Sequence, residues 1–119
     1  MQYLLLIYQN PSIWADMSEA DQGKIFGEYM DYARAIKASG NYLGGEALQP
    51  TSTATLVRKK AGKVVTTDGP FAETKEQLGG YFLVEAKDLD EAISLAARIP
   101  EVALGSTIEV RPIAETPKV

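Results

Sequence analysis

Two apolar runs dominate the hydrophobic pattern of this chain. Tyr3-Leu4-Leu5-Leu6-Ile7-Tyr8 contains no charged residue and stops at Asn10-Pro11. It predicts a buried strand. Tyr81-Phe82-Leu83-Val84-Glu85-Ala86 follows Gly79-Gly80 and predicts another. Two stretches have helical spacing instead. Ile25, Phe26, Tyr29, Met30, Ala33 and Ile36 recur at helical intervals between Ser18 and Gly40-Asn41. Ser18 with Asp21 resembles a capping box with Asp in place of Glu or Gln. Leu89, Ala92, Ile93, Leu95, Ala96 and Ile99 form the second stretch. It opens on Asp88 with Glu91 and stops before Pro100.

The remaining elements are shorter. Pro11 to Met17 reads as a loop carrying Trp14. Tyr42 to Leu48 predicts a strand whose Gly44-Gly45 pair marks a bulge or a close backbone approach. Thr53–Lys60 and Lys63–Asp68 are rich in β-branched residues around Ala61-Gly62, a hairpin pattern. A tight turn there opposes Lys60 to Lys63 and Thr55 to Asp68. Asp68 then shares a face with Thr55, Val57, Val64 and Thr66, and Arg58 shares the other with Leu56, Val65 and Thr67. Asp68-Gly69-Pro70 ends that strand, Phe71 to Leu78 is a loop or one helical turn, and Ser106–Val110 is a last strand. The order β-α-β-β-β-β-α-β predicts an α+β fold: a ferredoxin-like antiparallel sheet with two helices on one face and an added hairpin. One domain over residues 1–119 is expected, with 113–119 as a tail.

The first strand and the Tyr81–Ala86 strand are apolar on both faces, where a sheet with one wet face would alternate. Two helices cover one face only. The other needs a second cover, and a twofold partner supplies it most simply, so a homodimer is expected.

Composition narrows the chemistry. The 119 residues are 45% hydrophobic and 24% charged, ordinary globular values. There is no cysteine and no histidine. Thiol nucleophiles, thiolate metal sites and imidazole-based catalysis are excluded, and no metal or cofactor is called for. The formal charge of −4 argues against nucleic acid. The one dense basic cluster, Arg58-Lys59-Lys60 with Lys63, reads as a solvated hairpin tip. The apolar start is too short to span a membrane and lacks a basic leader, so no membrane contact and a cytoplasmic location are expected.

The densest polar constellation is Asp68-Gly69-Pro70-Phe71-Ala72-Glu73-Thr74-Lys75-Glu76. Two carboxylates and an amine on a stiff corner can position and protonate a small polar ligand. Asp68 and Glu73 are the candidate acid/base residues, with Lys75 and Arg58 to hold negative charge. The same residues also suit a turn in which Asp68 caps backbone N–H groups and Glu73 pairs with Lys75. Glu46 after the glycine pair, Tyr8 at a strand end and Trp14 as a lid complete the candidate ligand-binding set. Arg111 is a further anion-binding candidate.

Tyr3-Leu4-Leu5-Leu6-Ile7-Tyr8, Gly44-Gly45-Glu46-Ala47-Leu48-Gln49-Pro50 and Thr67-Asp68-Gly69-Pro70-Phe71-Ala72-Glu73-Thr74-Lys75-Glu76-Gln77-Leu78-Gly79-Gly80 resemble the DGPF-domain branch of the YCII-related proteins. The likeness runs from Tyr3 to Pro112. It implies a ferredoxin-like fold forming a dimeric α/β barrel. The His–Asp pair proposed as catalytic in the wider group has no counterpart here, because histidine is absent. Asp68, Glu73 and Lys75 fall on the branch's own signature. Two functions follow as expectations. One is a cofactor-independent enzyme or binder of a small metabolite acting at the Asp68–Glu73 corner. The other is a regulatory module linked to sigma-factor transcription control.

Overall fold

A computed structural model describes residues 1–117; Lys118 and Val119, the end of the expected tail, lie outside the described residues. Six strands and three α-helices follow in the order β1 (Gln2–Gln9), α1 (Pro11–Ala15), α2 (Glu19–Ala38), β2 (Tyr42–Ala47), β3 (Thr55–Lys60), β4 (Lys63–Asp68), β5 (Gln77–Glu85), α3 (Leu89–Ala97) and β6 (Thr107–Pro112). Short 3₁₀ turns occupy Thr51–Thr53 and Pro100–Leu104. Four strands form one antiparallel sheet in the order β2-β5-β1-β6, and β3 and β4 form a separate two-stranded sheet. With the hairpin set aside, this is the βαββαβ ferredoxin-like arrangement expected from the sequence.

The helix ends are fixed by side chains. Ser18 Oγ accepts from the Asp21 backbone N–H at 3.1 Å, and Asp88 Oδ1 accepts from that of Glu91 at 2.9 Å. Each cap contributes about 1 kcal/mol. Trp14 departs from expectation. Asn10 caps a helical turn through the Ser12 N–H, and Pro11 sits at its first position, so the segment read as a loop is α1.

Tyr3, Leu5 and Ile7 of β1, with Phe82 and Val84 of β5, point to the helices and are buried. Tyr32 and Ile36 of α2 and Ala92, Leu95 and Ala96 of α3 meet them. Phe82 is the hub. Tyr29 stacks on it at 5.7 Å, while Tyr32 and Tyr42 meet it edge-on at 5.3 and 6.4 Å. The Tyr32 hydroxyl donates to the Leu95 carbonyl at 2.7 Å and ties α2 to α3. Gly45 is required beneath this cluster. A Cβ there would lie 2.8 Å from both Phe82 Cδ1 and the Tyr81 carbonyl oxygen. The β2–β5 register shifts between Tyr42 and Gly44, the bulge that the glycine pair signals.

Candidate functional site

Strand alternation decides which residues reach the other side of the sheet. Since Leu5 and Ile7 face the helices, Leu4, Leu6 and Tyr8 face away. Their cross-strand partners share that side: Leu83 and Tyr81 on β5, Arg111, Glu109 and Thr107 on β6. Glu46 of β2 lies opposite Tyr81 and joins the same face. Among the described residues no helix covers this side.

The face is an apolar strip with a polar end. Leu4, Leu6 and Leu83 line the middle and are half-buried. At the β6 side the Tyr8 hydroxyl donates to Glu109 Oε1 at 3.3 Å. The second carboxylate oxygen of Glu109 accepts from Arg111 Nη2 at 3.1 Å. One carboxylate is thus held between a phenol and a guanidinium. Burial, first, then the Glu109 charge and its hydrogen bond raise the Tyr8 pKa above the ordinary 10, and Arg111 partly offsets them. Tyr8 is therefore a neutral O–H donor near pH 7. The constellation offers a donor, an acceptor and a fixed positive charge beside an apolar floor. That is the inventory for orienting a small ring bearing oxygen substituents.

The hairpin keeps the register read from its turn, with Lys60 opposite Lys63 and Thr55 opposite Asp68. Asp68 accordingly shares its face with Val57, Val64 and Thr66. That face lies outside the main sheet and is exposed, with Val57 at 66% and Val64 at 63%. Gly69 sits hard against Ala54, whose carbonyl accepts the Gly69 N–H at 2.8 Å, and the Gly69-Pro70 peptide is cis. Asp68, Glu73 and Lys75 are all exposed. Surface concavities lie around Glu28, Asp31, Tyr32 and Arg98 and around Met1, Gln2, Ile113 and Glu115; neither is lined by the corner or by the residues of the open sheet face named above. Arg58 lies over the Phe71 ring at 5.7 Å. Trp14, on α1, is 41% exposed, and its carbonyl accepts from Gln22 Nε2 at 2.8 Å.

Of the sequence candidates, Tyr8, Glu46 and Arg111 share the open face. Glu109 completes that group and was missed. Its signal was the alternation of Thr107-Ile108-Glu109-Val110-Arg111, in which Ile108 and Val110 face the helices. Among the described residues no group of three or more carboxylates is arranged to hold a metal ion. Among the described residues no helix is long and apolar enough to cross a membrane.

The family model for the YCII-related domain matches residues 1–117. The chain belongs to the YCII-related family. The uncharacterized protein R00369 of Rhizobium meliloti (strain 1021) is 34% identical over 116 residues, covering 96% of this chain and 93% of that one. Among solved structures, 5-chloro-2-hydroxyhydroquinone dehydrochlorinase (TftG) from Burkholderia phenoliruptrix AC1100, in complex with 2,5-dihydroxybenzoquinone, superposes with a TM-score of 0.57. It is 15% identical, with 98% of this chain and 96% of that chain covered. The likeness extends to the α+β fold of this YCII-related protein.

Proposed function

We propose that this YCII-related protein is a homodimer that binds and transforms a small hydroxylated ring compound on the open sheet face. The single observation that carries this reading is the Tyr8–Glu109–Arg111 constellation at the edge of an apolar strip. Leu4, Leu6 and Leu83 floor the site, and Tyr81 flanks it. The Tyr8 hydroxyl turns from Glu109 to donate to a ligand oxygen, and Arg111 holds negative charge on it. Glu109 accepts a ligand hydroxyl proton. That proton transfer needs no cofactor, because a phenol ring delocalises the charge left behind, and the proton returns from Glu109 when the ring is released or reprotonated. A second copy laid over the strip removes water and strengthens each polar contact. A neighbour of the same fold held with 2,5-dihydroxybenzoquinone supports a ring of this class. Asp68 and Glu73, both exposed outside the four-stranded sheet, take no part in this reading.

Calorimetric titration with 2,5-dihydroxybenzoquinone tests it. Tyr8→Phe and Arg111→Ala are each expected to weaken binding about tenfold, the loss of one charge-assisted or buried hydrogen bond. Wild-type affinity in both variants would remove the site from this face.

A further inference from the structure

The β3–β4 hairpin leaves its own chain without a partner. Among the described residues neither strand pairs with the four-stranded sheet, and a lone two-stranded hairpin is marginal in water. Its projection swells the molecule. The radius of gyration is 16.4 Å, where a compact chain of this length has about 13–14 Å. The two faces differ. On one, Leu56 and Val65 are half-buried and Arg58 stacks over Phe71. On the other, Val57 and Val64 stand diagonally adjacent and bare, at 66% and 63% exposure.

Charge tells what this face fits. Residues 55–68 carry four basic side chains against one acid, a formal +3. The rest of the chain carries eight basic and fifteen acidic residues, a formal −7. Five of those acids fall within residues 16–31, and a second group of four falls within residues 85–91. Asp16, Glu19, Asp21, Glu28 and Asp31 of the α1–α2 segment are exposed, with Lys24 the one base among residues 16–31. Asp31 is paired with Arg34 at 2.8 Å, which leaves Asp16, Glu19, Asp21 and Glu28 of this segment to complement a basic arm with a bare apolar face on another copy.

We propose that the hairpin is an intermolecular arm, docking its Val57–Val64 face and its lysines onto the acidic α1–α2 surface of a second copy. Six-residue strands give the arm a reach of about 20 Å. The apolar pair supplies affinity, and the lysines steer and orient the encounter. The contact uses neither the residues of the open sheet face nor any ligand there, and it reinforces the same pair of copies that the open face joins.

Cross-linking of mixed unlabelled and isotopically labelled chains tests the arm directly. A zero-length carbodiimide joins amines to adjacent carboxylates. Interchain links from Lys59, Lys60 or Lys63 to the carboxylates of residues 16–31 are expected. The Lys59→Glu/Lys60→Glu double variant, with substitutions confined to exposed positions, should lose those links and weaken association about tenfold at low salt. Arm lysines that link only within their own chain, or a double variant that associates like wild type, would overturn the proposal. So would retention of added transfer RNA by wild type but not by the double variant with association unchanged, which assigns the arm to a polyanion. Dissociation by Leu6→Asp with no effect of the arm variant defeats the arm and spares the open-face reading. The converse result defeats the open face and spares the arm.

Discussion

The Tyr8 hydroxyl reaches diagonally from β1 to Glu109 on β6, on the side of the sheet that the helices leave uncovered. Burial, then the carboxylate, raises the phenol's pKa above 10, and Arg111 opposes them. The phenol's contribution to stability is thus complete below the ordinary value and declines as the pH climbs through the raised one. The difference in phenolate absorbance between wild type and Tyr8→Phe should have its midpoint above 10. Glu109→Gln should lower that midpoint, and Arg111→Ala should raise it. A midpoint insensitive to both substitutions contradicts the constellation.

Glu101 offers a second titration. Its Oε2 is buried without a partner, and burial raises its pKa above the ordinary 4.5. Its charge in turn helps push the Tyr29 phenol up, after burial of that ring. A carboxyl with a raised folded pKa favours the folded state below 4.5 and loses that favour as the pH rises. Glu101→Gln should therefore raise the melting temperature at pH 7, with the gain shrinking toward pH 4. A gain that grows on acidification contradicts this.

Gly45 packs where no side chain fits. Gly45→Ala places a methyl against Phe82 and the Tyr81 carbonyl. It should cost about 1–3 kcal/mol in urea unfolding, the usual penalty for overpacking. An unchanged midpoint would mean that the β2 backbone yields without loss.

Tyr32→Phe removes the hydrogen bond that joins α2 to α3 and leaves the Leu95 carbonyl without that donor. A loss of about 1–3 kcal/mol is expected, read by the same unfolding experiment. The ring itself stays packed on Phe82, so circular dichroism should remain native.

Particular residues show what could be read in the chain. The apolar run Tyr3–Tyr8 announced a two-sided strand because every position of it is apolar. The turn at Ala61-Gly62 fixed the hairpin register residue by residue, since Ala61 and Gly62 both adopt positive φ there. Helix α2 was legible as a helix but not in its facing. Ile25, Tyr29, Tyr32 and Ile36 form the stripe that meets the core, while Phe26 and Met30 are 65% and 44% exposed. Apolar residues on both stripes blur that choice. Trp14 was misplaced because a five-residue helix is too short to show periodicity. The corner at Asp68 was legible as a rigid turn. That its hairpin parts from the sheet depends on long-range pairing, which local pattern does not encode. Glu109 escaped for a related reason: its importance arises only when β6 lies beside β1.

The account turns on whether a second copy covers Leu4, Leu6 and Leu83. Sedimentation velocity at micromolar concentration decides it most directly. Wild type should sediment at twice the 12.9 kDa chain mass, and Leu6→Asp, which sets a charge on the open strip, should shift toward single chains with its native circular dichroism kept. Wild-type protein sedimenting as single chains, or a Leu6→Asp variant as dimeric as wild type, contradicts the account.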